Sequence, residues 1–419
     1  MPVDLLDELR WRGLLYQHTE RLPGALAAGS LSGYCGFDPT ADSLHVGSLV
    51  PIMGLLHLQR AGHKPVALLG SGTALIGDPS GKSAERQLMS ADEVQANATA
   101  IREQITRFLE TSGRGGALFL DNAEWLLPLR AVDFMRDVGK HFTVNYMLAK
   151  ESVKARFDSG ISYTEFSYML LQSYDFLELY RRHGVTLQLG GSDQWGNITA
   201  GLELVRRAEG GEAHGMTLPL VTDAGGGKFG KTEAGTVWLD PRRTSPYRFH
   251  QFWINVDDRD AAAYLRMFTL MPREEIEALE RELVERPEAR AAQHALARDM
   301  TARVHGAEAA QVAEAVSAVL FGGRAVRTLS GKELDALGEE IPSATVPGGE
   351  PALADLFVAA GLAPSKSRAR TLLSQGGAYV NGERVEPDAS LADLQPLPGG
   401  RLLLRKGAKD YALVQLAQQ

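Results

Sequence analysis

Through the first half of the chain, short apolar runs alternate with longer stretches of helical periodicity, and this alternation restricts the fold more than any other feature. Residues 65–69 (Pro-Val-Ala-Leu-Leu) and 185–189 (Val-Thr-Leu-Gln-Leu) read as buried strands. Between them, Val46, Leu49, Val50 and Met53 recur at the i, i+3, i+4, i+7 spacing of an amphipathic helix. Pro51 falls inside that helix, where the missing backbone donor is tolerated best in a first turn. Strands alternating with helices form parallel βαβ units, so an α/β domain over residues 1–240 is expected. From about Ser245 to Leu337 the pattern changes to helix after helix, rich in Ala, Glu and Arg, and residues 241–340 read as an α-helical domain. Residues 341–350, Ile-Pro-Ser-Ala-Thr-Val-Pro-Gly-Gly-Glu, have the composition of a linker. Residues 351–419 read as a small α+β module.

A chain of 419 residues is long enough for about two or three such domains. The net charge of -8 argues against non-specific coating of nucleic acid or anionic membrane, so any RNA contact must come from a local basic patch. Cys35 is the only cysteine, which excludes an internal disulfide and points to a reducing, cytoplasmic compartment. The first residues carry acids where a signal peptide needs bases. No apolar run reaches the about 18 residues of a membrane span, so no membrane role is expected.

Several segments could bind nucleotide. Gly70-Ser-Gly72 follows a strand as a dinucleotide fingerprint would, but Leu75 stands at the third glycine position. Gly77-Asp-Pro-Ser-Gly-Lys82-Ser resembles a P-loop with one residue too few between its glycines. A fuller constellation runs from Tyr34 through Asp38, Thr40 and His45 to Gly47 and Ser48. There a strand ends, a Pro-containing loop turns and a helix begins, which presents backbone N–H groups and the positive helix end to an anion. His45 alone would read as a helix cap. Far along the chain, Gly225-Gly-Gly-Lys228-Phe-Gly-Lys231-Thr232 places two lysines in a glycine-rich loop suited to closing over phosphates. Alone it would read as a solvated turn. Tyr168, Gln172 and Asp175 stand at i, i+4 and i+7 of one helical pattern, so a phenol, an amide and a carboxylate share a face.

The segment around His45 and Gly47 resembles the HIGH signature of class I aminoacyl-tRNA synthetases, and Lys228–Thr232 resembles their KMSKS loop. Ser48 stands where the first signature has its second histidine, and Thr232 where the second ends in serine. The stretches at Cys35-Gly-Phe-Asp38, Gly77-Asp78-Pro-Ser-Gly-Lys82 and Gly190-Gly191-Ser-Asp193-Gln194 are similar to tyrosyl-tRNA synthetases of the bacterial type. That resemblance implies a Rossmann-like parallel-sheet catalytic domain, an α-helical domain contacting tRNA and a C-terminal RNA-binding domain.

The resemblance also implies roles. Tyr168, Gln172 and Asp78 would hold the α-amino end of L-tyrosine, with Gln194 beside them, and Tyr34 and Asp175 would receive its hydroxyl. Cys35, Asp38, His45, Gly47, Ser48, Gly191, Asp193 and Lys231 would bind ATP. Thr40, His45, Lys82, Arg86, Lys228, Lys231 and Thr232 would stabilise charge on the phosphates during adenylate formation. Mg²⁺ is expected with ATP, although no protein metal cluster is visible. The partner is tRNA(Tyr), and a homodimer is implied by the resemblance alone. In the last module, Lys366, Arg368 and Arg370 lie on a short basic helix, and residues 378–385 read as a hairpin turning at Asn381-Gly382. This pattern resembles an RNA-binding module shared with a small-subunit ribosomal protein. Two other classes remain open: another ATP-using nucleotidyltransferase, or an RNA-binding protein without catalysis.

Overall fold

A computed structural model describes residues 4–78, 89–113, 115–154, 160–232, 235–321, 323–346 and 351–417. The chain divides into two compact units. The first comprises residues up to Thr244 together with Val256–Leu296, and the second comprises Ser245–Asn255 together with the chain from Ala297 onward.

The first unit is built on a six-stranded sheet of β1 (Gln17–His18), β2 (Ser32–Phe37), β3 (Lys64–Leu69), β4 (Leu118–Asp121), β5 (Leu187–Gly191) and β6 (His214–Leu218). Their order is β1-β6-β5-β2-β3-β4, parallel throughout except for β1 at the edge. Both faces are covered, so β3 is buried along almost its whole length and reads as a continuous apolar run. Helix α1 (Leu49–Arg60) leads from β2 to β3 and buries Leu49, Ile52, Met53, Leu55 and Leu58. Pro51 lies in its first turn. Helix α2 (Ala91–Thr106) opens with a capping box formed by Ser90 and Glu93. Helices α3 (Tyr163–His183) and α4 (Trp195–Glu209) flank β5, and Phe176, Leu177, Leu204 and Val205 share a core with Tyr34, Val66 and Leu68 of the sheet.

Strand order reverses between β2 and β5, since β2 leads outward to β3 and β5 leads outward the other way to β6. Open α/β sheets bind ligands at the carboxyl ends of the strands flanking such a point. The second of the two expected strands begins at Leu187 rather than Val185. Gly184 ends α3 in the left-handed conformation (φ 62°), and the Val185 N–H still bonds back to Leu179 of that helix.

Domain boundaries differ from those expected. The supposed linker contains strand Ser343–Val346, which pairs in parallel with Asp410–Leu416 as the edge of a five-stranded sheet. Its short polar composition suits an edge strand as well as a linker. The helical stretch is also divided: Val256–Leu296 packs with the first unit, and the later helices pack with the C-terminal sheet. Val316, Leu334 and Leu337 of those helices share one cluster with Leu397, Leu403 and Leu413. The hairpin is present, with Val380 opposite Glu383 and positive φ at Asn381 (52°) and Gly382 (89°), as a tight two-residue turn needs.

Candidate active site

Beside the carboxyl ends of β2 and β5 lies a cavity of about 210 Å³, lined by Tyr34, Asp38, Asp78, Tyr168, Gln172, Asp175 and Gln194 among others. The one-face spacing on α3 therefore delivers its phenol, amide and carboxylate to a single cavity. Tyr34 and Asp175 are 1% and 2% exposed, so one end of the cavity is dry.

Burial pushes the Asp175 carboxyl up to about 7, because its charge is costly away from water. Its two oxygens nevertheless accept hydrogen bonds from Asn122 Nδ2 at 2.9 Å and Trp125 Nε1 at 2.7 Å. Asn122 also donates to Thr73 Oγ1 at 3.0 Å and accepts from Gly72 N at 2.7 Å, so the acid is held by a fixed scaffold. Burial, and next the neighbouring Asp175 charge, raise the Tyr34 phenol well above its usual value, which keeps it protonated. Among the described residues, Tyr34 Oη and Gln172 Oε1 are buried with no hydrogen-bond partner. Unsatisfied buried polar atoms are costly, and both line the cavity, so a ligand that bonds them would recover that cost.

At the other end, Gln194 Nε2 donates to Asp78 Oδ2 at 3.0 Å and Asp193 Oδ2 at 3.2 Å. Gln172 Nε2 and Asn197 Nδ2 donate to Gln194 Oε1 at 3.4 and 3.1 Å. Tyr168 Oη donates to Asp38 Oδ2 at 3.4 Å, and Asp38 Oδ1 accepts from Thr73 at 3.3 Å. Asp38 thus lies inside this cavity. A Cβ on Gly70 would lie 2.3 Å from Asp38 Oδ1. Cys35 is buried, and burial pushes its thiol up to about 12, so it is no nucleophile.

The two phosphate-type segments, far apart in sequence, are adjacent in the fold. Val46 N donates to Val237 O, Leu239 N to Leu44 O and Val237 N to Gly230 O, at 3.0, 2.8 and 3.0 Å. His45 caps the turn Val46–Ser48, its Nδ1 accepting from Gly47 N at 3.0 Å, while its ring stays exposed. A Cβ on Gly47 would lie 2.7 Å from that ring, so glycine keeps His45 in place as well as leaving room for a base. Lys228, Lys231 and Thr232 are exposed beside this junction; Thr40, in the loop after β2, and Asp193, beside Gln194, are also exposed, and Ser48 and Gly191 are half-buried. Lys82 and Arg86 lie outside the described residues. Lys366, Arg368 and Arg370 are exposed on helix Lys366–Ser374, and Lys366 pairs with Asp355 at 2.8 Å.

Asn122, Trp125, Thr73 and Gln188 line or support the cavity but are not singled out by the sequence. The available signal was positional, since Asn122 directly follows β4 at its carboxyl end. Among the described residues, no group of three or more His, Cys, Asp or Glu side chains is placed to hold a metal ion. No helix there is long and apolar enough to cross a membrane.

Comparisons with known proteins agree with this geometry. The family "tRNA synthetases class I (W and Y)" matches residues 27–322, and a "Tyrosine--tRNA ligase SYY-like C-terminal domain" matches residues 333–414. The chain is 52% identical to the tyrosine--tRNA ligase of Bacillus caldotenax over 420 residues, covering 99% of this chain and 100% of that one. It is 52% identical to that of Roseiflexus castenholzii, covering 98% and 99%. A C-terminally truncated mitochondrial tyrosyl-tRNA synthetase from Aspergillus nidulans superposes with a TM-score of 0.67 at 28% identity, covering 74% of this chain and 92% of that one. The chain belongs to the class I tRNA synthetases, in the branch that handles tryptophan and tyrosine.

Proposed function

We propose that the chain is a tyrosine--tRNA ligase that activates L-tyrosine with ATP and transfers the tyrosyl group to tRNA(Tyr). The observation that carries this reading is the cavity with a dry, hydrogen-bonding end at Tyr34 and Asp175 and a polar end at Asp78, Gln172 and Gln194. Tyrosine has the matching polarity, with a phenol at one end and a zwitterion at the other. Asp175 accepts the substrate hydroxyl and Tyr34 bonds it, while Asp78, Tyr168 and Gln172 receive the α-amino group. Phenylalanine would leave Tyr34 Oη buried and unpaired, a cost of about 1–3 kcal/mol, and would give Asp175 no hydroxyl beyond the bonds it already accepts from Asn122 and Trp125.

The tyrosine carboxylate is ionised at neutral pH and needs no general base. Its oxygen forms a bond to the α-phosphorus of ATP as the bond to pyrophosphate breaks, and the chain's task is alignment and charge stabilisation. Thr40, His45, Lys228, Lys231 and Thr232, with Lys82 and Arg86, stabilise the departing pyrophosphate. Cys35, Asp38, Gly47, Ser48, Gly191 and Asp193 hold the rest of the nucleotide. Mg²⁺ carried by the ATP phosphates themselves would offset part of their charge. The terminal ribose of tRNA then takes the acyl group and AMP leaves. Lys366, Arg368 and Arg370 give the RNA a basic face.

A homodimer is supported by Val132, Met135, Val144 and Tyr163, which are 58–75% exposed on elements packed around Met147, Met169 and Leu170. Sedimentation showing only monomer at micromolar concentration would contradict it. The lone cysteine supports work in the cytoplasm, and secretion of the native protein into the medium would contradict that. Lys231→Ala tests the chemistry: adenylate formation is expected to fall at least tenfold with tyrosine binding unchanged, and equal losses in both would refute the transition-state role.

A further inference from the structure

The loop carrying Lys228 and Lys231 is fastened to one helix, α5 (Asp258–Phe268). Tyr264 Oη donates to Thr222 O at 3.3 Å, and Asp260 Oδ2 accepts from Ala224 N at 2.8 Å. Asp223 folds the intervening turn on itself, its Oδ1 accepting from Gly225 N and Gly227 N at 2.9 and 2.8 Å. Then Phe229, between exposed Lys228 and buried Gly230, turns inward and is 8% exposed. Its ring stacks on Phe268 with centroids 5.1 Å apart and planes 13° from parallel, and meets Tyr264 edge-on at 5.0 Å. Tyr264 and Phe268 are themselves 4% and 0% exposed.

The next residue, Gly230, has φ +81°, and a Cβ there would lie 2.3 Å from Val46 Cγ2. Beyond it the chain enters the short strand Lys231–Thr232, paired with Gly235–Thr236. The loop is thus tied to α5 at Thr222, Ala224 and Phe229, and Lys231 lies one glycine beyond the last of these anchors.

We propose that Phe229 is a positioning residue for the reaction: seated against Tyr264 and Phe268, it fixes where Lys228 and Lys231 stand relative to His45. This rests on the reading that both lysines act on the ATP phosphates. The Phe229 ring, turned inward in an otherwise glycine- and lysine-rich exposed loop, offers no polar group to a phosphate. Its ring instead converts α5 into the reference body for the two cations. Misplacing a cation by about 1 Å costs far more in the transition state than in the ground state, since only there is the extra phosphate charge present.

The test compares Phe229→Ala, Phe229→Leu and Lys231→Ala in tyrosine-dependent pyrophosphate exchange, with tyrosine binding measured separately at equilibrium. Phe229→Ala is expected to lower kcat at least tenfold with the tyrosine Kd within twofold of wild type, and Phe229→Leu to restore most of the rate. The proposal is overturned if Phe229→Ala keeps kcat within twofold while Lys231→Ala loses it. It is equally overturned if tyrosine binding falls in step with kcat, or if Phe229→Leu is as impaired as Phe229→Ala. Full activity in Lys231→Ala would overturn the phosphate reading itself, and this proposal with it.

Discussion

At Asp175, specificity and pH response are expected to be coupled in a single residue. Its carboxyl, held up at about 7 by burial, keeps a proton that the unfolded chain releases above about pH 4. The folded state is therefore progressively disfavoured by this group as pH rises from about 4 to about 7, and no further above that. Substrate binding should run the other way, because the ionised form is the better acceptor for a phenolic hydroxyl. Tyrosine affinity is expected to rise with pH through about 7, and Asp175→Asn to flatten that profile and weaken binding about 10- to 100-fold, equivalent to about 1–3 kcal/mol. An unchanged pH profile in Asp175→Asn, followed by equilibrium titration, would remove Asp175 from the hydroxyl site. At this scale the sequence was legible wherever residues shared a periodic element: the spacing of Tyr168, Gln172 and Asp175 needs only a helix to bring them together. Asn122 and Trp125 were not legible. Asn122 stands at the N-cap of the four-residue helix Ala123–Leu126 just after β4 and Trp125 lies within it; that helix is too short to show a period, and their partnership with Asp175 arises from the packing of α3 against it.

Among elements, α5 connects distant parts of the first unit. Phe229 docks on its inner face, and its carboxyl end is held by Arg12. This guanidinium is 3% exposed and donates to the carbonyls of Arg266, Thr269 and Met271 at 2.9, 2.7 and 3.0 Å while pairing with Glu8. A cation at a helix carboxyl terminus also complements the helix dipole. Arg12→Ala leaves the buried Thr269 carbonyl and the half-buried Arg266 and Met271 carbonyls without this donor, and a stability loss of about 3 kcal/mol is expected in urea unfolding of the first unit's transition. A loss under about 0.5 kcal/mol, the range of an ordinary surface change, would contradict this. Strands and helices were readable here from apolar periodicity, whereas Ser343–Val346 was not. An edge strand of four residues flanked by Pro and Gly carries the same local composition as a linker, and only its pairing with Asp410–Leu416 distinguishes the two.

At the scale of the whole molecule, the net charge of -8 bears on where RNA could be held. RNA affinity in an acidic chain is expected to reside in basic faces, and the exposed helix with Lys366, Arg368 and Arg370 is the proposed one. Replacing all three by Ala is expected to weaken tRNA binding, reduce the slope of log affinity against log salt, and leave adenylate formation intact. An unchanged slope would place the RNA elsewhere. Simply deleting residues 351–419 would be a poorer test, because it strips Leu397, Leu403 and Leu413 from a core they share with Val316, Leu334 and Leu337. The proposed reaction requires the cavity at Tyr34 and Asp175 to act together with the adjoining segments around His45 and Lys231. ATP–pyrophosphate exchange measured with each amino acid in turn tests it most directly. Exchange with tyrosine, and with phenylalanine and tryptophan at least a hundredfold slower, is the predicted result; no exchange with tyrosine, or an equal rate with either of the other two, would contradict it.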